Sequence, residues 1–183
     1  MAWNHLPNFL TAIRIGLIPF FVTSLYLPGT WGKVLSAIFF SLAAITDWAD
    51  GYVARRWGLL TPFGKFFDPV ADKLLIISAL ILLVAENRAP LVLVLLITAR
   101  EITITGLREY MSGLGSSVPV SGLAKWKTGF QMAAIIMLLL QDGLLGLPLT
   151  KPGLLCLYIC TVLTLQTGYQ YLAQAWPQIR SSI

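Results

Sequence analysis

Apolar residues run along the chain in six blocks, each close to the roughly 20 residues that an α-helix needs to cross the hydrocarbon core of a bilayer. The blocks cover about 8–27, 35–56, 66–85, 89–108, 124–141 and 153–172. Turn-forming residues separate them: Pro28-Gly29, Thr61-Pro62, Arg88-Ala89-Pro90, a Gly/Ser/Pro stretch from Ser112 to Gly122, and Leu147-Pro148. The pattern predicts an all-α polytopic membrane protein, six transmembrane helices in one bundle, with residues 1–183 forming a single domain. No internal repeat or low-complexity tract interrupts it.

Composition narrows the class further. The chain is 57% hydrophobic and only 11% charged, against roughly 25% charged residues in an ordinary soluble domain. That balance argues against a soluble globular fold and against disorder, and no nucleic-acid partner is expected. The first block contains Arg14, has no basic region before it and no small-residue cleavage pattern after it. It therefore reads as a retained helix rather than a signal peptide.

The location of charge adds an orientation. With the N-terminus inside, the cytoplasmic side receives ten of the 13 basic residues: Arg14, Arg55, Arg56, Lys65, Lys73, Arg100, Arg108, Lys125, Lys127 and Arg180. The far side receives Lys33, Arg88 and Lys151, so both termini are expected in the cytoplasm. Trp3, Trp31, Trp57, Trp126 and Trp176 all fall near block ends, where an indole sits between headgroups and acyl chains; Trp48 is the exception. Cys156 and Cys160 lie four apart in the last block, but the only histidine, His5, is remote. They read as buried thiols rather than a metal pair.

The acidic residues carry the chemistry. Only eight are present, and four of them, Asp47, Asp50, Asp68 and Asp72, fall in one stretch at the junction of the second and third blocks. A carboxylate at the centre of a spanning helix costs about 2.5–3.5 kcal/mol on insertion scales, so four together require a hydrated cavity near the interface. Asp47, Asp50, Gly51 and Ala54 follow the i, i+3, i+4, i+7 pattern of one helical face; Gly64, Asp68 and Asp72 follow i, i+4, i+8. A short turn around Thr61-Pro62 makes the two helices antiparallel, so the four carboxylates converge on one pocket. Clustered carboxylates repel unless a cation neutralises them. Oxygen-only ligands select a hard divalent ion, Mg²⁺ or Mn²⁺, and four aspartates can hold two ions about 3.5–4 Å apart. Gly51, Ala54 and Gly64 either let a ligand approach the backbone or permit close helix packing, and Arg55 is free to pair with a phosphate.

The string Asp-x2-Asp-Gly-x2-Ala-Arg-x8-Gly-x3-Asp-x3-Asp is met without a gap from Asp47 to Asp72. It resembles the signature of the CDP-alcohol phosphotransferases. The likeness extends along nearly the whole chain through Pro7-Asn8 to Arg14, Thr98 to Glu101, Arg108-Glu109 and Lys125 to Thr128. The resemblance implies a six-helix membrane enzyme, usually a homodimer, that binds CDP-diacylglycerol, transfers its phosphatidyl group to an alcohol and releases CMP. It also implies a bacterial inner-membrane location with the pocket facing the cytoplasm. By that likeness Asp47, Asp50 and Asp68 ligate the metals, and Asp72, also close to them, acts as the base. Gly51, Ala54, Arg55 and Gly64 line the CDP pocket. Asn8, Thr11 and Arg14 are further candidates there, although a helix-start Asn/Thr pair also serves as a cap.

No histidine, cysteine or serine lies within the signature, and its only hydroxyls are Tyr52 and Thr61. Direct in-line attack by the acceptor is therefore the simpler mechanism. A second group, Arg100, Arg108, Lys125 and Lys127, falls at the cytoplasmic ends of the fourth and fifth blocks, where lysines also anchor to anionic headgroups. A cationic pocket opposite the metals suits an acceptor carrying its own phosphate, with glycerol 3-phosphate the expected case and serine or inositol phosphate the alternative acceptors. A divalent-cation transporter would also put aspartates in a membrane cavity, but it leaves Gly51, Ala54, Arg55 and Gly64 unexplained at those intervals. A non-enzymatic assembly protein would tolerate loss of the aspartates.

Overall fold

The computed structural model describes the backbone over residues 6–57, 62–113, 122–141 and 147–182. Side chains are described for the same residues except 6–10, 47–57, 62–68, 178, 181 and 182. Six helices occupy these ranges: α1 (Leu6–Ser24), α2 (Gly29–Trp57), α3 (Pro62–Ala85), α4 (Leu91–Gly113), α5 (Gly122–Leu140) and α6 (Thr150–Ser182). Each apolar block yields one helix, and no strand occurs among the described residues.

Local chemistry explains where the helices stop. At the end of α1 the hydroxyls of Thr23 and Ser24 fold back onto the carbonyls of Pro19 and Phe21 at 2.8 and 2.7 Å. Gly29 then takes a φ of +72°, a conformation only glycine adopts freely, and α2 starts there. Helix α3 starts on Pro62, whose missing N–H costs nothing at a first helical position. It ends with Asn87 in the left-handed region (φ 55°), while the Arg88 and Asn87 amides donate to the Leu83 and Val84 carbonyls at 2.7 and 3.0 Å. That pair of bonds is a Schellman closure. From the same turn, Arg88 donates to the Leu139 carbonyl at 3.1 Å, joining the α3–α4 connection to the C-terminal end of α5.

Two helix bounds differ most from the apolar pattern. Helix α2 begins six residues before the block it contains, because the polar Gly29-to-Lys33 segment is helical although not apolar. Helix α6 continues to Ser182, through Pro177, where the pattern stops near residue 172. Buried Tyr171 and Ala175 on the same face keep that extension attached to the bundle.

The helices pack around one apolar core. Helix α1 lies on α2 and α3, α5 lies along α6, α4 crosses α6, and both α2 and α3 reach α5. Phe21 and Phe40 meet with ring centroids 5.9 Å apart, above Leu75, Leu80, Ile135 and Leu138, all buried. The outer faces are apolar too: Leu91, Val92, Leu95 and Ile102 of α4, and Leu155, Val162 and Leu165 of α6, are exposed. Apolar residues on all sides of a helix suit a lipid surround rather than water. Within α2, α5 and α6, the stretches Gly29–Thr46, Gly122–Leu140 and Thr150–Pro177 are long and apolar enough to cross a membrane. The apolar stretch of α1, Thr11–Ser24, is shorter, and that of α4 stops at Arg100 and Glu101. Trp31, Trp126 and Trp176 are exposed, as interfacial anchors would be; the side chains of Trp3, Trp48 and Trp57 lie outside the described residues.

Close approach of α5 and α6 depends on Gly153. A Cβ there would lie 3.1 Å from the side chains of Leu138 and Met137, whereas a Cβ at Gly106 would meet nothing within 4 Å. Gly153→Val is therefore expected to destabilise the protein by about 1–3 kcal/mol through overpacking, with Gly106→Ala neutral or slightly stabilising. Thermal unfolding in detergent checks both, and equal melting temperatures for the two variants would contradict the packing account.

Candidate active site

Two stretches of backbone carry the aspartate signature. The second helix is unbroken through residues 47–57 and the third is unbroken from Pro62 past Asp72. Asp47, Asp50, Gly51 and Ala54 thus keep the one-face register of a continuous helix, as do Gly64, Asp68 and Asp72, and α2 and α3 are in contact. The side chains of Asn8, Asp47, Asp50, Arg55 and Asp68, and the surroundings of Gly51, Ala54 and Gly64, lie outside the described residues. Thr11 and Arg14 are both buried on the α1 face, Arg14 completely. A fully buried arginine within an apolar helix is retained for interactions rather than for solubility.

Asp72 opens a polar cluster that the sequence does not announce. Its Oδ2 accepts a bond from Lys73 Nζ at 3.0 Å, and the same ammonium lies 2.7 Å from Glu101 Oε2 on α4. The other oxygen of Glu101 accepts from Arg100 Nη1 at 3.1 Å and from Lys127 Nζ of α5. One carboxylate, 2% exposed, thereby binds three cations contributed by α3, α4 and α5. Three cations face two carboxylates here, leaving one positive charge over beside Asp72.

Helix α6 sets the arginine. Arg100 Nη2 donates to Thr167 Oγ1 at 2.9 Å, and its guanidinium carbon lies 5.8 Å from the centre of the Tyr171 ring, a cation–π distance. Thr167 in turn donates to the Leu163 carbonyl at 2.7 Å, which leaves its oxygen lone pairs turned to the arginine. Gly168 gives the stem room, since a Cβ there would come within 3.0 Å of Arg100 Cγ. A planar fork held on three sides presents its remaining donors in a fixed direction, which suits recognition of a phosphate.

Of the four cations expected to act together, Arg100 and Lys127 meet at Glu101, while Arg108 and Lys125 are exposed and make none of these bonds. Arg108 is expected to share a helical face with Arg100, but it lies two turns, about 12 Å, further along α4, and its side chain is exposed. Lys73, Glu101, Thr167, Gly168 and Tyr171 were not singled out as site residues by spacing. Glu101 had a legible signal, being an acidic side chain inside an apolar run, where carboxylates need a partner. Cys160 is buried with its sulfur 3.7 Å from Thr164 Oγ1, and Cys156 is half-buried.

Residues 4–169 match the profile of a family described as CDP-alcohol phosphatidyltransferase, which spans most of the chain. The chain belongs to that family. It is 44% identical over 171 residues to a Rickettsia felis protein named CDP-diacylglycerol–glycerol-3-phosphate 3-phosphatidyltransferase, covering 92% of this chain and 93% of that one. Proteins of the same name from Salmonella paratyphi A and Yersinia enterocolitica are 44% identical over 175 and 183 residues. These matches cover 93% and 96% of this chain, and 94% and 97% of the relatives.

A buried ion stripped of its partner is an uncompensated charge, at a cost of about 3–5 kcal/mol, and removing Glu101 strands the buried Lys127 ammonium, whereas removing both side chains leaves less behind. Glu101→Gln and Lys127→Met are each expected to lower stability, and the double variant is expected to be more stable than the sum of the two by at least ~1 kcal/mol. Unfolding measured across that cycle decides it; strict additivity would mean that the two side chains do not interact.

Proposed function

We propose that this chain transfers the phosphatidyl group of CDP-diacylglycerol to glycerol 3-phosphate, forming phosphatidylglycerophosphate and CMP. The observation that carries the reading is the set of cations around Glu101, next to Asp72. Glycerol 3-phosphate brings a phosphate of about −1.5 to −2 charge, and Lys73, Arg100 and Lys127 are cations already gathered where such a group would need them. Arg108 and Lys125, exposed on the same helices, would extend the cationic approach to the pocket.

The lipid half of the pocket rests on the aspartate signature and on the relatives' shared name. Gly51, Ala54, Arg55 and Gly64 would line the cytidine diphosphate, with Asn8, Thr11 and Arg14 of α1 alongside. Asp47, Asp50 and Asp68, together with Asp72, are hard oxygen donors in the class that suits Mg²⁺ or Mn²⁺, and they would hold two such ions. Among the described residues, no group of three acidic, histidine or cysteine side chains gathers in one spot; of the four aspartates only the Asp72 side chain is described. Bound there, divalent ions supply neutralising charge to the diphosphate.

The protein's own residues then have separate tasks. Lys127 and Arg100 hold the acceptor's phosphate away from the reacting centre, which leaves its free primary hydroxyl to point at Asp72. Asp72 accepts the hydroxyl proton as the oxygen attacks the β-phosphorus, the new P–O bond forms, and the bond to CMP breaks. Lys73, bonded to Asp72, holds that carboxyl in a fixed orientation before the proton arrives. The six helices would cross a bacterial inner membrane as a single domain, with the pocket and both termini cytoplasmic, and the chain would work as a homodimer. The ten-to-three split of basic residues between the two ends of the six blocks supports that orientation.

The deciding experiment is purified protein with labelled CDP-diacylglycerol and a panel of glycerol 3-phosphate, serine and inositol phosphate, read by the headgroup of the product. Phosphatidylglycerophosphate is the expected product, and Asp72→Asn is expected to lower its formation at least ~10²-fold while lipid binding is kept. Product from serine or inositol phosphate instead would overturn the acceptor, and near-normal turnover by Asp72→Asn would remove it as the base.

A further inference from the structure

Gln131 sits on α5, four residues after Lys127, and is completely buried. Neither its Oε1 nor its Nε2 has a hydrogen-bond partner among the described residues. Buried side-chain polar atoms in native proteins are bonded in the large majority of cases, because an amide taken from water without compensation is destabilising. Methionine or leucine would fill the same space at no such cost. A primary amide kept there with both ends unused among the described residues is available to a bound ligand.

The position of Gln131 indicates where that partner lies. Four residues along a helix is one turn, a rise of about 6 Å, so Gln131 shares the inner face of α5 with Lys127. Long side chains on a helix lean back toward its N-terminus, which tilts the amide toward the turn carrying Lys127. That lysine ends on Glu101, which also binds Lys73, the neighbour of Asp72. Gln131 is therefore the next buried polar group along α5 after the lysine of the cationic cluster, and α5 is in contact with α3, which carries Asp72.

Hydrogen-bond chemistry then selects the class of partner. Lysine and arginine only donate, and phosphate oxygens only accept, so the cations and a phosphate complete each other without help. An amide offers a donor and an acceptor. A lipid ester carbonyl or a phosphate oxygen would meet Nε2 and leave Oε1 unsatisfied, whereas a hydroxyl can give to one and take from the other. Glycerol 3-phosphate carries two hydroxyls, one of which attacks phosphorus.

We propose that Gln131 binds the second, non-reacting hydroxyl of the acceptor and makes the enzyme selective for a polyol phosphate. This rests on the acceptor assignment above. A site built to hydrogen-bond a hydroxyl rejects the analogue that lacks it, because its own polar atoms are then left bare.

The test compares glycerol 3-phosphate with 3-hydroxypropyl phosphate, which keeps the phosphate and the attacking hydroxyl but lacks the second one. The full-length protein in detergent, with CDP-diacylglycerol, is expected to favour glycerol 3-phosphate in kcat/KM by at least about tenfold. In Gln131→Met that preference should fall to about twofold or less, through loss of activity on glycerol 3-phosphate with activity on the analogue kept. Gln131→Asn, polar but one methylene shorter, carries the same expectation and serves if the methionine variant does not accumulate. A wild-type protein that uses both acceptors equally overturns the role of Gln131, whatever the variants do. So does a variant in which both activities fall by the same factor, the result expected if the amide only holds a water. Wild-type protein that releases CMP with neither acceptor overturns the proposed reaction and this inference with it, so the two failures are told apart.

Discussion

A carboxylate inside an apolar bundle persists only if cations surround it, and Glu101 has three. Its two oxygens bind Lys73 of α3, the preceding Arg100 of its own helix, and Lys127 of α5. Each of these cations would be as costly alone in that setting as the carboxylate, so the four charges hold one another in place. The helices that carry them are thereby fixed in mutual register at one end of the bundle. Hydrophobic packing of Phe21, Phe40, Leu138 and their neighbours brings the helices together, but it is non-directional. The ion cluster supplies direction.

From that constraint the active end of the molecule follows. Lys73 turns Asp72 toward the cluster, and α6 holds Arg100 through Thr167, Gly168 and Tyr171. The charge left over is positive and beside the only described carboxylate of the aspartate signature. A cationic cluster so arranged suits an anionic alcohol, and the family to which the chain belongs is named for phosphatidyl transfer. The same economy of polar groups makes Gln131 conspicuous, since it is completely buried and neither end of its amide has a hydrogen-bond partner among the described residues.

Much of the fold was legible because a long apolar block favours a helix, and each of the six blocks became one. The start of α2 and the end of α6 were not, since Gly29 to Lys33 and the polar stretch beyond Leu172 have no apolar period to mark them; tertiary contacts at Tyr171 and Ala175 carry the helix on. The aspartate register was legible because its spacing is local. The Glu101 cluster was not, because its members come from three helices and spacing along one helix says nothing about a partner on another. Arg100 and Thr167 are 67 residues apart in the chain, and only folding brings them together. Gln131 escaped for a different reason, being uncharged in an apolar run where a single amide hardly alters the pattern.

The central claim is that the cations gathered by Glu101 receive the acceptor's phosphate and not the lipid's. It is tested most directly by measuring both Michaelis constants in Lys127→Gln, a change that leaves Glu101 bonded to Lys73 and Arg100. Losing one charge-assisted bond to phosphate, about 1.5–3 kcal/mol, should raise the KM for glycerol 3-phosphate at least ~10-fold and leave that for CDP-diacylglycerol nearly unchanged. If both constants rise together, or only the lipid's does, the cluster serves the lipid headgroup and the account is contradicted.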